Sequence, residues 1–316
     1  MTNASPPPKR RELVLLTHAV PQWIGPDVES EFDLRMLDLS CDACRHARVM
    51  ITPGPAKLGA DILGELPALE YIAAVGSGIE GIDITYAARR GIRITNSAIA
   101  TAEDVADHTL AITLALYARI ISLDHAVRTG NWPEPAFRRS LRDLNVGIVG
   151  LGAIGAAVAR RLAPFGCSVK WTGPRFRDTP YDYVADLAGL AEWADILIVA
   201  ARADASNAGM INANVLDRLG AEGLLVNVSR GSIVDEDALI VALKQNRLGG
   251  AALDVFRSEP TPAERWKDVP NIVLSPHIGG YALGVQRNIQ KLLRENLHAF
   301  FDGSMQKGIV VQETNA

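Results

Sequence analysis

Short apolar runs rich in Val, Ile and Leu punctuate the chain at 13–16, 49–52, 71–75, 92–95, 146–149, 169–172, 196–200, 224–228, 251–255 and 272–274. The stretches between them repeat apolar positions every three to four residues, the mark of amphipathic helices. Strands that alternate with helices feed parallel sheets covered on both faces, so the pattern predicts an α/β protein. Ten such strands exceed what one compact doubly wound sheet usually carries, which points to two doubly wound parallel-sheet domains.

Two longer helical patterns mark the passages between these domains. One begins near Thr101 or Ala102 and runs through AEDVADHTLAITLALYARIIS, with Ala, Leu and Ile around nearly the whole circumference, as in a buried helix that links domains. The other runs from Val285 to Gly303, with Ile289, Leu292, Leu293, Leu297, Phe300 and Phe301 at helical spacing and Gly303 as the stop. The expected organisation is a domain of residues 99–284 inserted into an outer domain of 1–98 and 285–316. Residues 1–11, MTNASPPPKRR, read as a loose tail, or else as a small targeting or anion-binding patch.

Composition adds exclusions. Of 316 residues, 48% are hydrophobic, and Lys+Arg 32 against Asp+Glu 36 leaves a net charge of −4. That balance gives no general reason to bind nucleic acid or an anionic membrane. The most apolar stretches, 110–118 and 196–201, fall short of the roughly 20 residues of a membrane helix. The first residues lack the apolar centre of a secretory signal, so a cytoplasmic location is expected. Cys41, Cys44 and Cys167 are too few for a disulfide framework. Cys41-Asp-Ala-Cys44 has the spacing of a redox pair or half a zinc site, but no second pair completes a tetrahedral set and no metal is expected. The alternative is two ordinary thiols near a helix.

Chemistry enters at Gly150-Leu-Gly152-Ala-Ile-Gly155, which follows the strand LNVGIVG and opens a helix. In a G-x-G-x-x-G loop the first glycine permits the tight turn, the second lets the backbone approach a pyrophosphate, and the third lets helix and strand pack closely. An acid about 20 residues on would favour NAD by accepting bonds from the ribose hydroxyls. Here the segment reads Trp171-Thr172-Gly173-Pro174-Arg175-Phe176-Arg177. Thr172, Arg175 and Arg177 can hydrogen-bond and neutralise a 2′-phosphate, which predicts a preference for NADP(H), with NAD(H) as the alternative and solvated loop charges as the bland reading.

Several ordered blocks now carry a resemblance: VGSGIEGID (75–83), ADHTLAI (106–112), VGIVGLGAIG (146–155), LLVNVSRGSIVDEDAL (224–239), ALDVFRSEP (252–260) and SPHIGG (275–280). Together they resemble the D-2-hydroxyacid dehydrogenase family, most of all its glyoxylate/hydroxypyruvate reductases. The resemblance implies a Rossmann-type nucleotide-binding domain inserted into a flavodoxin-like substrate domain. It also implies catalytic roles for Arg230, Glu259 and His277: a guanidinium suits a keto acid's carboxylate, an imidazolium supplies the proton as hydride arrives, and a carboxylate orients the imidazole and favours its protonated form.

Val75-Gly76-Ser77-Gly78 follows a strand, and its glycines expose backbone N–H groups able to hold the substrate carboxylate, with a structural turn as the alternative. The resemblance gives cofactor contacts to Thr101, Ala153, Ile154, Ala200, Val228 and Asp254, the last with capping of the following turn as its alternative. The expected activity is reduction of a small 2-keto acid, glyoxylate or hydroxypyruvate, by a homodimer. The alternatives are a sibling dehydrogenase of the D-lactate, phosphoglycerate or formate type, a dinucleotide-sensing binding protein on this fold, and a structural oligomer. Two departures stand out. AARADASNAG (200–209) replaces a segment where many relatives carry proline and threonines, and Trp132 in Gly130-Asn-Trp132-Pro is either an element that reaches a partner subunit's site or a simple hydrophobic anchor.

Overall fold

Aliphatic and β-branched runs become strands here because helices cover both faces of each sheet. The structure, a computed structural model, describes residues 11–311. The chain divides into two units: residues up to Thr101 with those from Leu283, and Ala102–Ala282. The tail expected at 1–11 lies outside the described residues except for Arg11, whose guanidinium donates to the Glu29 carbonyl at 3.0 Å.

The first unit opens with β1 (Leu13–Leu16), β2 (Asp33–Met36), β3 (Val49–Pro53), β4 (Tyr71–Val75) and β5 (Arg93–Thr95). The second unit contains β6 (Asn145–Val149), β7 (Ser168–Thr172), β8 (Asp182–Tyr183), β9 (Ile196–Val199), β10 (Leu224–Asn227), β11 (Gly250–Leu253) and β12 (Ile272–Leu274). The chain then returns to the first unit with β13 (Ile309–Val311). In the first unit the sheet order is β13-β5-β4-β3-β1-β2. Its parallel part has the flavodoxin-like 2-1-3-4-5 order. In the second unit the order is β12-β11-β10-β9-β6-β7-β8, a Rossmann order with one strand added. The order reverses between β6 and β9, and ligands of such sheets bind outside the carboxyl ends of the strands at that point.

The fold class therefore stands, with one correction: β13 runs antiparallel to β5, as the edge strand of an open parallel sheet often does. The apolar runs located the other ten strands and missed β2, β8 and β13, all of them at sheet edges. An edge strand pairs on one side only and tolerates polar residues: β2 holds two charges in four residues, and β8 is two residues long.

The first passage helix also differs from its expectation. It starts at Ala98 and ends at Tyr117, and a second helix, Ile120–Arg128, leaves it at 57°. Arg119, at φ +55°, makes the break. The second helix has no buried residue, so the apolar circumference read from the sequence is core in one segment and surface in the next. The other passage helix, Leu283–Phe301, buries Ile289, Leu292, Leu293, Leu297 and Phe300 as its spacing predicts. Phe301 is only half-buried and stacks on Phe32 at 5.9 Å.

Candidate active site

The three glycines of the loop after β6 serve different ends. Gly150 has φ +92°, its N–H donates to the Thr172 carbonyl at 2.8 Å, and a Cβ there would lie 2.5 Å from the Ala201 Cα. A Cβ on Gly155 would stand 2.0 Å from the Gly150 carbonyl oxygen. Gly152 instead opens on space, with nothing within 4 Å of a Cβ. It is the N-cap of the helix Ala153–Leu162, and no side chain caps that helix. The first intrahelical bond runs from the Ala156 N–H to the Gly152 carbonyl at 2.9 Å, so the amides of Ala153, Ile154 and Gly155 head the helix. Open space before uncapped amides suits a pyrophosphate, both sterically and by charge.

At the end of β7, Trp171 and Thr172 are buried, whereas Arg175 and Arg177 are exposed. Neither arginine forms an ion pair among the described residues, and Arg177 lies over the Trp171 ring, 6.0 Å from its centroid. After β9, the Ala200 N–H donates to the Val149 carbonyl at 2.9 Å. The unusual loop 200–209 closes on itself: Asp204 accepts from the Ser206 hydroxyl and amide, and Asn207 accepts from the Asp204 N–H at 2.9 Å. The Ser206 hydroxyl, then its amide, hold the Asp204 carboxyl below its ordinary pKa.

Three adjacent parallel strands carry the remaining chemistry at their carboxyl ends. Arg230 follows β10, Asp254 and Glu259 follow β11, and His277 follows β12. The His277 Nδ1 lies 2.7 Å from the Glu259 carboxylate, whose other oxygen accepts from the Phe256 N–H at 2.9 Å. This contact assigns Nδ1 to Glu259 and leaves Nε2 for a ligand; both side chains remain partly exposed, 43% and 38%. Arg230 has extended backbone, donates to the Ser229 carbonyl at 2.7 Å, and accepts through its own carbonyl from the Asn227 amide at 3.0 Å.

Asp254, only 2% exposed, organises the His277 loop. Its carboxylate accepts from the Ser275 hydroxyl at 2.6 Å and from the N–H groups of Ile278 and Gly279 at 2.9 Å each. Its carbonyl accepts from the His277 N–H at 2.8 Å. The His108 Nε2, on the helix Ala98–Tyr117, lies 3.0 Å from the Ser275 hydroxyl and 3.2 Å from the Asp254 carboxylate.

The family of D-isomer-specific 2-hydroxyacid dehydrogenases, through its NAD-binding domain, matches residues 110–279. The chain belongs to this family. It is therefore an NAD(P)-dependent oxidoreductase, and the glycine loop described above fits a nicotinamide dinucleotide. Similar proteins include glyoxylate/hydroxypyruvate reductase A of Arabidopsis thaliana, 38% identical over 79% of this chain and 82% of that one. The 2-ketogluconate reductase of Gluconobacter oxydans is 37% identical over 80% of this chain and 83% of that one. Among solved structures, an NADPH-dependent glyoxylate/hydroxypyruvate reductase of Sinorhizobium meliloti, in complex with NADP and malonate, superposes with a TM-score of 0.83. It is 32% identical, and the match covers 97% of this chain and 100% of that one.

Other expected residues of this dehydrogenase are placed as follows. In the first unit, Val75 ends β4, Gly76 takes φ +101°, and the carbonyls of Gly76 and Ser77 accept from the Ser97 N–H at 2.7 Å and the Asn96 amide at 2.6 Å. The Thr101 hydroxyl is turned to the Ala98 carbonyl of its own helix at 3.2 Å. Val228 is buried beside β9, its N–H donating to the Val199 carbonyl. Trp132 is 83% exposed and so does not act as an anchor within its own unit. Residue reasoning missed His108, Asn227 and Ser275 although all three lie within the quoted blocks. Asn227, fully buried at a strand end, carries the available signal, a polar residue where packing alone would favour an apolar one, whereas His108, between Asp107 and Thr109, carries none.

Proposed function

We propose that this dehydrogenase reduces small 2-keto acids of the glyoxylate and hydroxypyruvate kind, prefers NADP(H), and works as a homodimer in the cytoplasm. The His277–Glu259 contact at 2.7 Å carries the reading of a working active site. A bound nicotinamide dinucleotide supplies hydride to the keto carbon. The amides of Ala153, Ile154 and Gly155 hold its pyrophosphate, and Arg175 and Arg177, without acid partners among the described residues, attract a 2′-phosphate. His277 holds the proton for the carbonyl oxygen at Nε2, while Glu259 fixes the ring through Nδ1. The Arg230 guanidinium binds the substrate carboxylate, and the backbone amides of the 75–78 loop suit the same kind of anion.

The 37% identity to a 2-ketogluconate reductase favours a second reading, in which the substrate is a longer, hydroxylated keto acid. Initial rates of NADPH and NADH oxidation with glyoxylate, hydroxypyruvate, pyruvate and 2-ketogluconate decide between them. The proposal expects the highest kcat/KM with NADPH and one of the two smallest hydroxylated or aldehydic acids. A clear preference for 2-ketogluconate would move the assignment to the second reading. Dinucleotide binding without turnover of any acid would instead favour a dinucleotide-sensing role. Equal kcat/KM for NADPH and NADH, unchanged in Arg175→Ala, would remove the cofactor preference.

A further inference from the structure

Cys41 and Cys44 take no part in the hydride chemistry, yet they differ in the way that a reactive pair of thiols must. Cys41 is partly exposed and sits at the N-cap of the short helix Asp42–Arg45, whereas Cys44 is 1% exposed. Cys44 belongs to the core cluster of the first unit with Leu15 and Met50, and Cys41 packs against that cluster. The Cys44 N–H donates to the Cys41 carbonyl at 3.0 Å, so a single helical turn separates the two residues. Residues three apart on such a turn have Cα atoms about 5 Å apart, within the range that a disulfide spans.

We propose that Cys41 and Cys44 form a redox-responsive dithiol that low-molecular-weight disulfides convert to an intramolecular disulfide. The Cys41 thiolate attacks one sulfur of the small disulfide, an S–S bond forms, and the other half leaves as a thiolate. Cys44 gives its proton to that departing thiolate, and its sulfur attacks the Cys41 sulfur. The protein disulfide forms as the second half leaves and takes a proton from water. Two protein thiols are oxidised, and one small disulfide is reduced to two thiols.

Electrostatics support this order of events. The Cys44 amide first, then the Cys44 thiol and the Ala43 amide, hold the Cys41 thiol below its ordinary pKa, while burial holds Cys44 above. The charged groups that face the pair are Asp38, which opposes ionisation of both, and Arg35 of β2, which is itself bound to Asp33 at 2.7 Å. The accessible sulfur is thus the attacking one, and the buried sulfur resolves.

Cys167, in the second unit, is an internal control: its Sγ donates to the Leu141 carbonyl at 3.2 Å, and burial pushes its thiol up. The native protein is incubated with glutathione disulfide, its thiols are counted, and its peptides are mapped by mass. The expected result is loss of two of the three thiols, no retained glutathione, and one cross-link between Cys41 and Cys44. Cys44→Ser is expected to trap one glutathione on Cys41. Retention of all three thiols, a stable glutathione adduct on the wild type, or a cross-link to Cys167 would overturn the proposal. Mapping of the wild type needs no variant, so the outcome does not depend on whether Cys44→Ser folds.

Discussion

At the scale of single residues, the loop that carries His277 depends on a carboxylate that never has to meet substrate. Asp254 receives two amide N–H groups and a hydroxyl, and its own carbonyl receives the His277 N–H. Asp254→Ala would strip the partner from the buried Gly279 amide, at about 1–3 kcal/mol for a buried group left unsatisfied, and from the partly exposed Ile278 amide. Thermal or urea unfolding of this variant is therefore expected to show lower stability together with lower kcat. His277→Gln should behave differently. Removal of a general acid lowers kcat by about a hundredfold to ten-thousandfold, whereas NADPH affinity, followed by fluorescence titration, is expected to stay near the wild-type value. Full activity in His277→Gln would refute its role as the acid. Arg230, Glu259 and His277 were readable as candidates in the sequence because each lies in a short contiguous block. The work of Asp254 was not, because it bonds to residues 21 to 25 positions further on, and only the pairing of β11 with β12 brings them together.

At the scale of elements, legibility follows position in the sheet. Central strands must be apolar on both faces and announced themselves. β2, with Asp33 and Arg35 among its four residues, and β8, two residues long, lie at edges where charged and short strands are tolerated, whereas β13 is an apolar Ile-Val-Val run and was missed despite carrying the signal. The helix break at Arg119 was silent, because nothing in the run ALYARIIS marks a left-handed residue. How the helix Pro26–Glu31 holds to Leu283–Phe301 was also invisible, since their ion pairs join residues 263 and 267 positions apart. Glu31 accepts from Arg294 at 2.6 Å and lies 2.8 Å from the His298 ring nitrogen. The Arg294 and His298 hydrogen bonds lower its pKa from 4.5 to about 2. A carboxylate with a depressed folded pKa contributes stability that is present above the unfolded value and lost as pH falls through the folded one. Glu31→Gln is therefore expected to lower the urea midpoint at neutrality, with the difference from wild type shrinking between pH 4.5 and about 2. A difference that stayed constant across that window would mean that the charge on Glu31 is not what holds the two helices.

At the scale of the whole molecule, the charge and hydropathy totals hide where the apolar surface lies. The helix Ile120–Arg128 buries none of its residues, and Ile120, Leu123 and Val127, at helical spacing, are 53%, 42% and 50% exposed. A few residues further on, Trp132 and Phe137 are also exposed. Apolar residues this dense on one helix and its following loop form a patch of the kind that soluble proteins cover with a partner. The same run looked like core in the sequence because periodicity reports that residues are apolar and not what covers them. A second copy of the chain is the partner proposed, and in an isologous pair each copy would present this helix to the other. Light scattering is expected to give twice the 33.9 kDa mass of one chain. Leu123→Asp with Val127→Asp should convert the dimer to a monomer, since loss of two apolar side chains at about 1.5–3 kcal/mol each weakens association at least a hundredfold. Circular dichroism should remain that of the wild type, because neither residue is buried within its own chain. A wild-type protein that scatters as a monomer, or a double variant that still scatters as a dimer, would place the subunit contact elsewhere or nowhere. Trp132→Ala adds the functional arm: if Trp132 reaches the partner's substrate, KM rises with the dimer intact, and if it only cements the contact, KM rises only as far as dimer is lost.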